Sequence, residues 1–145
     1  MSQFQDAQLI LHFYELRREA RLREARTFVA SRFRASDMKE FHELCPPGSD
    51  ENAYVRQVLT YWDMVSAIVR RHLVDKDLFF ETNGELTVVW EKVRHLVPGL
   101  REGYSNPHFL ASFEQIANER EAYLEEKSPG YLPALRERLG VAKRA

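Results

Sequence analysis

One cysteine, Cys45, stands among the 145 residues, so no internal disulfide can form and packing alone has to hold the fold. A chain of about this length buries roughly 68–70% of its unfolded surface, which is enough for a core of its own. The lone thiol suits a reducing compartment, and a cytoplasmic location is expected. Glycine is scarce and scattered, with single residues at 48, 84, 99, 103, 130 and 140. A phosphate cradle needs clustered glycines, so nucleotide binding of that kind is not expected, and no Gly-x-Ser-x-Gly turn presents a serine nucleophile. No apolar run approaches the roughly 20 residues that cross a bilayer. The opening Met1-Ser2-Gln3-Phe4-Gln5-Asp6 lacks the basic-then-apolar order of a secretory signal, and no membrane partner is expected. An excess of either charge is missing too: the formal net charge of −1 exerts no global pull on nucleic acid or anionic lipid. No stretch alternates in the manner of a strand. The expected class is therefore all-α, a compact bundle of five to seven helices forming one domain over residues 1–145.

What the chain has in quantity is apolar side chains at helical spacing, densest between Val55 and Val97, where both tryptophans lie. Val55, Val58, Leu59, Trp62, Val65, Ile68 and Val69 recur at intervals of three and four, and Tyr54 and Tyr61 broaden their face. The spacing predicts a core helix over 50–71. Asp75 is placed to cap a short turn carrying Leu78, Phe79 and Phe80, after which Asn83-Gly84 resets the backbone. Leu86, Val89, Trp90, Val93, Leu96 and Val97 predict a second central helix over 84–97, stopped or kinked by Pro98-Gly99. Two antiparallel helices joined by an aromatic linker is the simplest arrangement.

Between Phe4 and Arg34 there is neither proline nor glycine, which predicts one long helix over 4–34. Leu9, Phe13, Leu16 and Ala20 gather on one side of it, whereas Leu11, Tyr14, Leu22, Ala25, Val29 and Phe33 gather on another. About 30 helical residues span about 45 Å, more than the roughly 38 Å diameter of a compact domain of this size. Two apolar sides and an overhang point to a partner, most economically a second copy, through Leu9, Leu11, Phe13 and Leu16. The competing arrangement is a break near Arg17-Arg18 that hands the two stripes to two shorter helices of one core. Ser36 or Asp37 is expected to cap a short helix with Met38, Phe41 and Leu44, and Cys45-Pro46-Pro47-Gly48 leads as a loop into the core helix. Asn106-Pro107 and Ser128-Pro129 read as helix starts, predicting helices over 106–127 and 128–139, with a frayed tail from Val141 to Ala145.

Asn52, Tyr61-Trp62-Asp63, the segment from Asp75 to Phe80, Trp90 with Arg94, and Asn106-Pro107-His108-Phe109 together resemble a family of small bacterial proteins known as domain of unknown function 4760. The similarity spans about residues 9 to 125. It implies a small helical domain and brings no activity, ligand or catalytic residue with it. Members sharing this pattern often begin with a membrane-spanning helix, which the first residues here do not resemble.

Reactive constellations are absent in the pattern. A di-metal helical site needs Glu-x-x-His on two helices, and the residues three before His12, His42, His72, His95 and His108 are Leu9, Lys39, Val69, Lys92 and Ser105. His42 and Cys45 are three apart but lack a second ligand pair, and a capped helix running into a proline loop explains both. No catalytic residue, metal or cofactor is expected. Seven arginines and two glutamates fall between Arg17 and Arg34, yet Arg17, Arg18, Arg21 and Arg32 share one side while Arg23, Arg26 and Arg34 lie on others. A solvated face with pairs such as Glu15–Arg18 and Glu19–Arg23 is expected over a nucleic-acid surface, which stays as an alternative. Another alternative is a small-molecule pocket between the two tryptophan helices, framed by Tyr54, Trp62, Asp63, Trp90 and Arg94. The leading expectation is a non-catalytic module that associates with itself, as a dimer, or with another protein.

Overall fold

The first five helices begin where the side chain of the preceding residue accepts a free amide of the first turn. A computed structural model describes residues 2–141; positions 142–145 of the expected tail lie outside the described residues. Ser2 and Gln5 form a reciprocal capping box that opens α1, Gln3–Arg17. Glu19 caps α2, Ala20–Ser31; Asp37 caps α3, Met38–Leu44; and Ser49 caps α4, Asp50–Arg70. Asp75 caps α5, Lys76–Thr82. There follow α6, Glu85–Val93, a 3-10 turn at Arg94–Leu96, α7, Val97–Gly103, α8, Ala111–Lys127, and α9, Tyr131–Leu139. The described residues are helical with no strand, and the helices are shorter and more numerous than the five to seven expected.

The long helix expected over 4–34 is broken. The chain turns at Arg18-Glu19, and the Glu19 carboxylate accepts the Leu22 amide at 3.1 Å. Hydrogen bonds from the Leu22 and Arg21 amides hold that carboxyl below its usual range. Stripes on two sides of a straight rod cannot face one core. The turn lets Ile10 and Phe13 of α1 and Ala25, Phe28 and Val29 of α2 all bury. It also removes the overhang, since the 15 residues of α1 span about 22 Å.

The other departures have local causes. Pro98 does not stop the chain but sits in the first turn of α7, where its missing N–H has no helical partner to lose. The 3-10 turn before it interrupts the α-helix, so the helix expected over 84–97 ends at Val93 and α7 starts at Val97. Asn106-Pro107 opens no helix. The Asn106 side chain accepts the His108 amide at 3.0 Å, Leu110 takes a left-handed φ of 62°, and α8 starts only at Ala111. Likewise Ser128 to Gly130 form a turn and α9 begins at Tyr131, ending at Gly140 with φ 72°.

The expected α4–α6 hairpin is not what holds the core together. Helix α4 packs chiefly against α2 and α8, and α6 also packs against α8. Trp90 meets Phe113 of α8 edge-on, with ring centres 5.2 Å apart, while Trp62, fully buried, lies against Tyr61. Each such side chain contributes roughly 1.5–3 kcal/mol on burial. Leu124, Leu132 and Leu135 form a smaller apolar cluster of their own, which docks α9.

Buried polar side chains tie helix ends to the centre. A helix leaves its last carbonyls without amide partners and slightly negative, so donors and cations are stabilised there. The Tyr61 hydroxyl donates to the Phe13 carbonyl at 2.6 Å, and Arg26 to the Arg17 carbonyl at 3.2 Å, both at the end of α1. The Lys92 ammonium donates to the Val29 and Ala30 carbonyls of α2 at 2.6 and 2.9 Å. Arg120, 6% exposed, donates twice to the Phe80 carbonyl of α5 and once to the Thr87 hydroxyl at 2.7 Å. At the opposite pole, Asp63 accepts the Phe113 amide at 3.0 Å and so caps α8 from another helix.

Candidate functional site

The five residues expected to frame a pocket are not gathered around an opening. Trp62 and Trp90 are 0% and 3% exposed and belong to the core. Asp63 is the distant cap of α8, and Arg94 turns outward to pair with Glu91 at 3.2 Å and with Glu121 at 3.9 Å. Tyr54 stacks at a tilt on Phe28 and donates its hydroxyl to Glu24 at 3.4 Å. Aromatic side chains at helical spacing here serve packing.

The arginines of α1 and α2 are divided between surface and interior. Arg17, 7% exposed, and Arg26 converge on Glu85 of α6, with closest approaches of 3.4 and 2.7 Å. The Glu85 hydrogen bond raises the Arg26 pKa further, and Arg17 also lies over the Trp62 and Tyr14 rings, 5.3 and 5.4 Å from their centres. Arg18 covers Tyr14, and Arg32 covers Phe28. The expected pairs along the helix do not form: Glu19 caps α2, and Glu15 sits 3.7 Å from His12. Sequence spacing pointed to local partners, whereas Glu85 lies 68 residues from Arg17.

An acid pair that the sequence did not disclose lies between α6 and α8. Glu91 is 2% and Glu121 9% exposed, and Arg136 of α9 reaches Glu91 at 2.8 and 3.3 Å and Glu121 at 3.5 Å. Burial, then the hydrogen bond and charge of Glu91, push the Glu121 carboxyl up to about 8. Burial acts in the same direction on Glu91, but its bonds to Glu121 and Arg136 outweigh it and hold Glu91 below the usual carboxylate range. At neutral pH the pair thus keeps one proton, on Glu121. Helix α9 covers it, so the arrangement stores charge without offering a substrate a way in. Only the Glu91–Arg94 spacing hinted at it, since Arg136 comes from 45 residues away.

His42 and Cys45 do not converge on a ligand. His42 is exposed and edge-on to Phe41, whereas Cys45 is fully buried with its thiol pushed up to about 11 by burial and by Glu51, which leaves a poor nucleophile at neutral pH. Among the described residues no three of His, Cys, Asp and Glu gather as a metal site.

The surface of α1 remains. Of the four residues expected there, Phe13 is core, meeting Phe79 edge-on at 6.4 Å, and Leu9 is half-buried against the same core. The turn at Arg18-Glu19 sets that side inward. Leu11 and Leu16 are 62% and 37% exposed, and Phe4 and Tyr14, at 71% and 50%, join them outside. Phe4, Leu11 and Tyr14 follow one another at intervals of seven and three, which keeps them in line along the helix.

The class these contacts define is a small all-α domain whose interior polar groups join helix ends. The chain belongs to the family described as Domain of unknown function (DUF4760), whose sequence model matches residues 2–120. No curated protein and no solved structure matches it. Four of the residues that carried the resemblance make junctions or caps: Asn52 donates to the Cys45 carbonyl at 3.1 Å, Tyr61 holds α1, Asp63 caps α8, and Asp75 caps α5. No described helix is long and apolar enough to cross a membrane.

Proposed function

We propose that this chain is a non-catalytic association module that pairs with a second copy of itself through the outer face of α1. The observation that carries the reading is the line of Phe4, Leu11 and Tyr14, large apolar side chains between 50% and 71% exposed on one short helix. A stripe running along a helix is self-complementary across a two-fold axis, so no second patch is required. The three side chains offer on the order of 400 Å² per copy, about half of the roughly 800 Å² per partner of a standard interface. The pairing is therefore weak and follows concentration. A cytoplasmic setting accords with a single, buried thiol. A nucleic-acid role is less well supported, because Arg17 and Arg26 are occupied by Glu85.

Sedimentation equilibrium from micromolar to near-millimolar protein tests the reading. The wild type gains apparent mass with concentration, and a variant carrying Phe4→Glu and Leu11→Glu stays at monomer mass with unchanged helical circular dichroism. A wild type that is monomeric throughout, or a variant that gains mass equally, refutes it.

A further inference from the structure

We propose that the groove between α3, α4 and α7 is a binding site for a small amphipathic carboxylate, with the Arg56 guanidinium holding its charged head. Two adjoining hollows of about 370 and 450 Å³ share Arg56 and Tyr104 as their common wall. Volumes of this order are those of small-molecule sites, which pair an apolar lining with a few placed polar groups. Met38, Phe41 and Leu100 give the first hollow its apolar side, and Phe109, edge-on to Tyr104 at 4.9 Å, gives the second its own.

Arg56 is prepared for an anion. Asn52, 9% exposed, accepts the Arg56 Nε–H at 2.9 Å through Oδ1 while its own amide nitrogen donates to the Cys45 carbonyl. The guanidinium is thus fixed at its stem, and among the described residues its two terminal nitrogens make no hydrogen bond and no ion pair. Neither hollow is lined by an aspartate or glutamate. A positive fork without an acidic neighbour favours an anion, and one planar guanidinium matches the two oxygens and single charge of a carboxylate better than a phosphate dianion. The groove owes its depth to glycine. A Cβ on Gly99 would overlap the Met38 side chain, so glycine brings α7 close to α3, whereas one on Gly103 would meet nothing within 4 Å and faces open space.

Octanoate is the probe, with acetate and 1-octanol lacking the tail and the charge respectively, titrated into the intact chain and followed by backbone amide shifts in nitrogen-15 NMR. Octanoate is expected to bind saturably, with shifts centred on Arg56, Gly99, Gly103 and Tyr104, while acetate and octanol bind at least tenfold more weakly. Arg56→Gln, at an exposed position, is expected to lower octanoate affinity at least tenfold. Gly103→Leu, at a position of the first hollow where an added Cβ meets nothing within 4 Å, is expected to abolish binding with the helical spectrum intact. Octanol binding as well as octanoate, an unchanged affinity in either variant, or no saturable binding at millimolar probe overturns the proposal.

Discussion

Replacing Glu121 with glutamine should make the protein more stable, and increasingly so as pH rises. Folding carries this carboxyl from an ordinary value of 4.5 to about 8, because burial and the neighbouring Glu91 disfavour its charge. Between those limits the folded chain holds a proton that the unfolded chain has released. The pKa is raised on folding, so the stability it contributes is whole below about 4.5 and is lost as pH climbs towards 8. Each pH unit in that window removes about 1.4 kcal/mol, and the full span amounts to at most about 5 kcal/mol. Glutamine has the shape of the protonated acid and an N–H to offer Glu91, but nothing to ionise. Urea unfolding followed by circular dichroism at pH 5, 6, 7 and 8 checks the reasoning. The two proteins should unfold at similar midpoints near pH 5, and at pH 8 the glutamine variant should lead by at least about 2 kcal/mol. Parallel profiles, or a glutamine variant that is weaker at pH 8, would mean that Arg94 and Arg136 stabilise both carboxylates as anions, and the reasoning would fail.

Two further outcomes follow from the joints between helices. Glu85→Ala leaves Arg17 buried without its acid and should cost about 2–3 kcal/mol, below the range for a fully buried pair because Glu85 is 25% exposed; hydrogen exchange should quicken first in α1. Lys92→Met keeps the stem and removes the ammonium that holds the last carbonyls of α2, which should lower stability by about 1–3 kcal/mol with early exchange at the end of α2. Burial lowers the Lys92 pKa, with Arg34 adding to it, so the unfolded chain keeps this proton to higher pH than the folded one, and wild-type stability relative to Lys92→Met should rise as pH climbs from the folded towards the unfolded value.

What could be read in the sequence was whatever neighbours in the chain decide. Asp75, and Asp37 as one of two candidates, announce α5 and α3 through side chains that accept an amide three residues on, and the period of Val55 to Val69 marks α4 as the core helix. What escaped depends on contacts across the chain. The start of α8 rests on Asp63, 50 residues upstream, so Asn106-Pro107 gave a false beginning. The break after Arg17 was one of two arrangements compatible with the apolar pattern, and the burial of both stripes in one core decides between them. For the same reason Phe13 and Leu11, both apolar and two residues apart, end in opposite surroundings. The groove at Arg56 was illegible because its walls come from three helices and its floor from the absence of side chains at glycines.

The span matched by the family ends at residue 120, one position short of Glu121, while the guanidinium that covers Glu91 arrives on α9, beyond that boundary. Glu91 is therefore held from both sides of that boundary, by Arg94 within the matched span and by Arg136 beyond it, so trimming this chain at residue 120 would take away one of its two cations together with its partner acid.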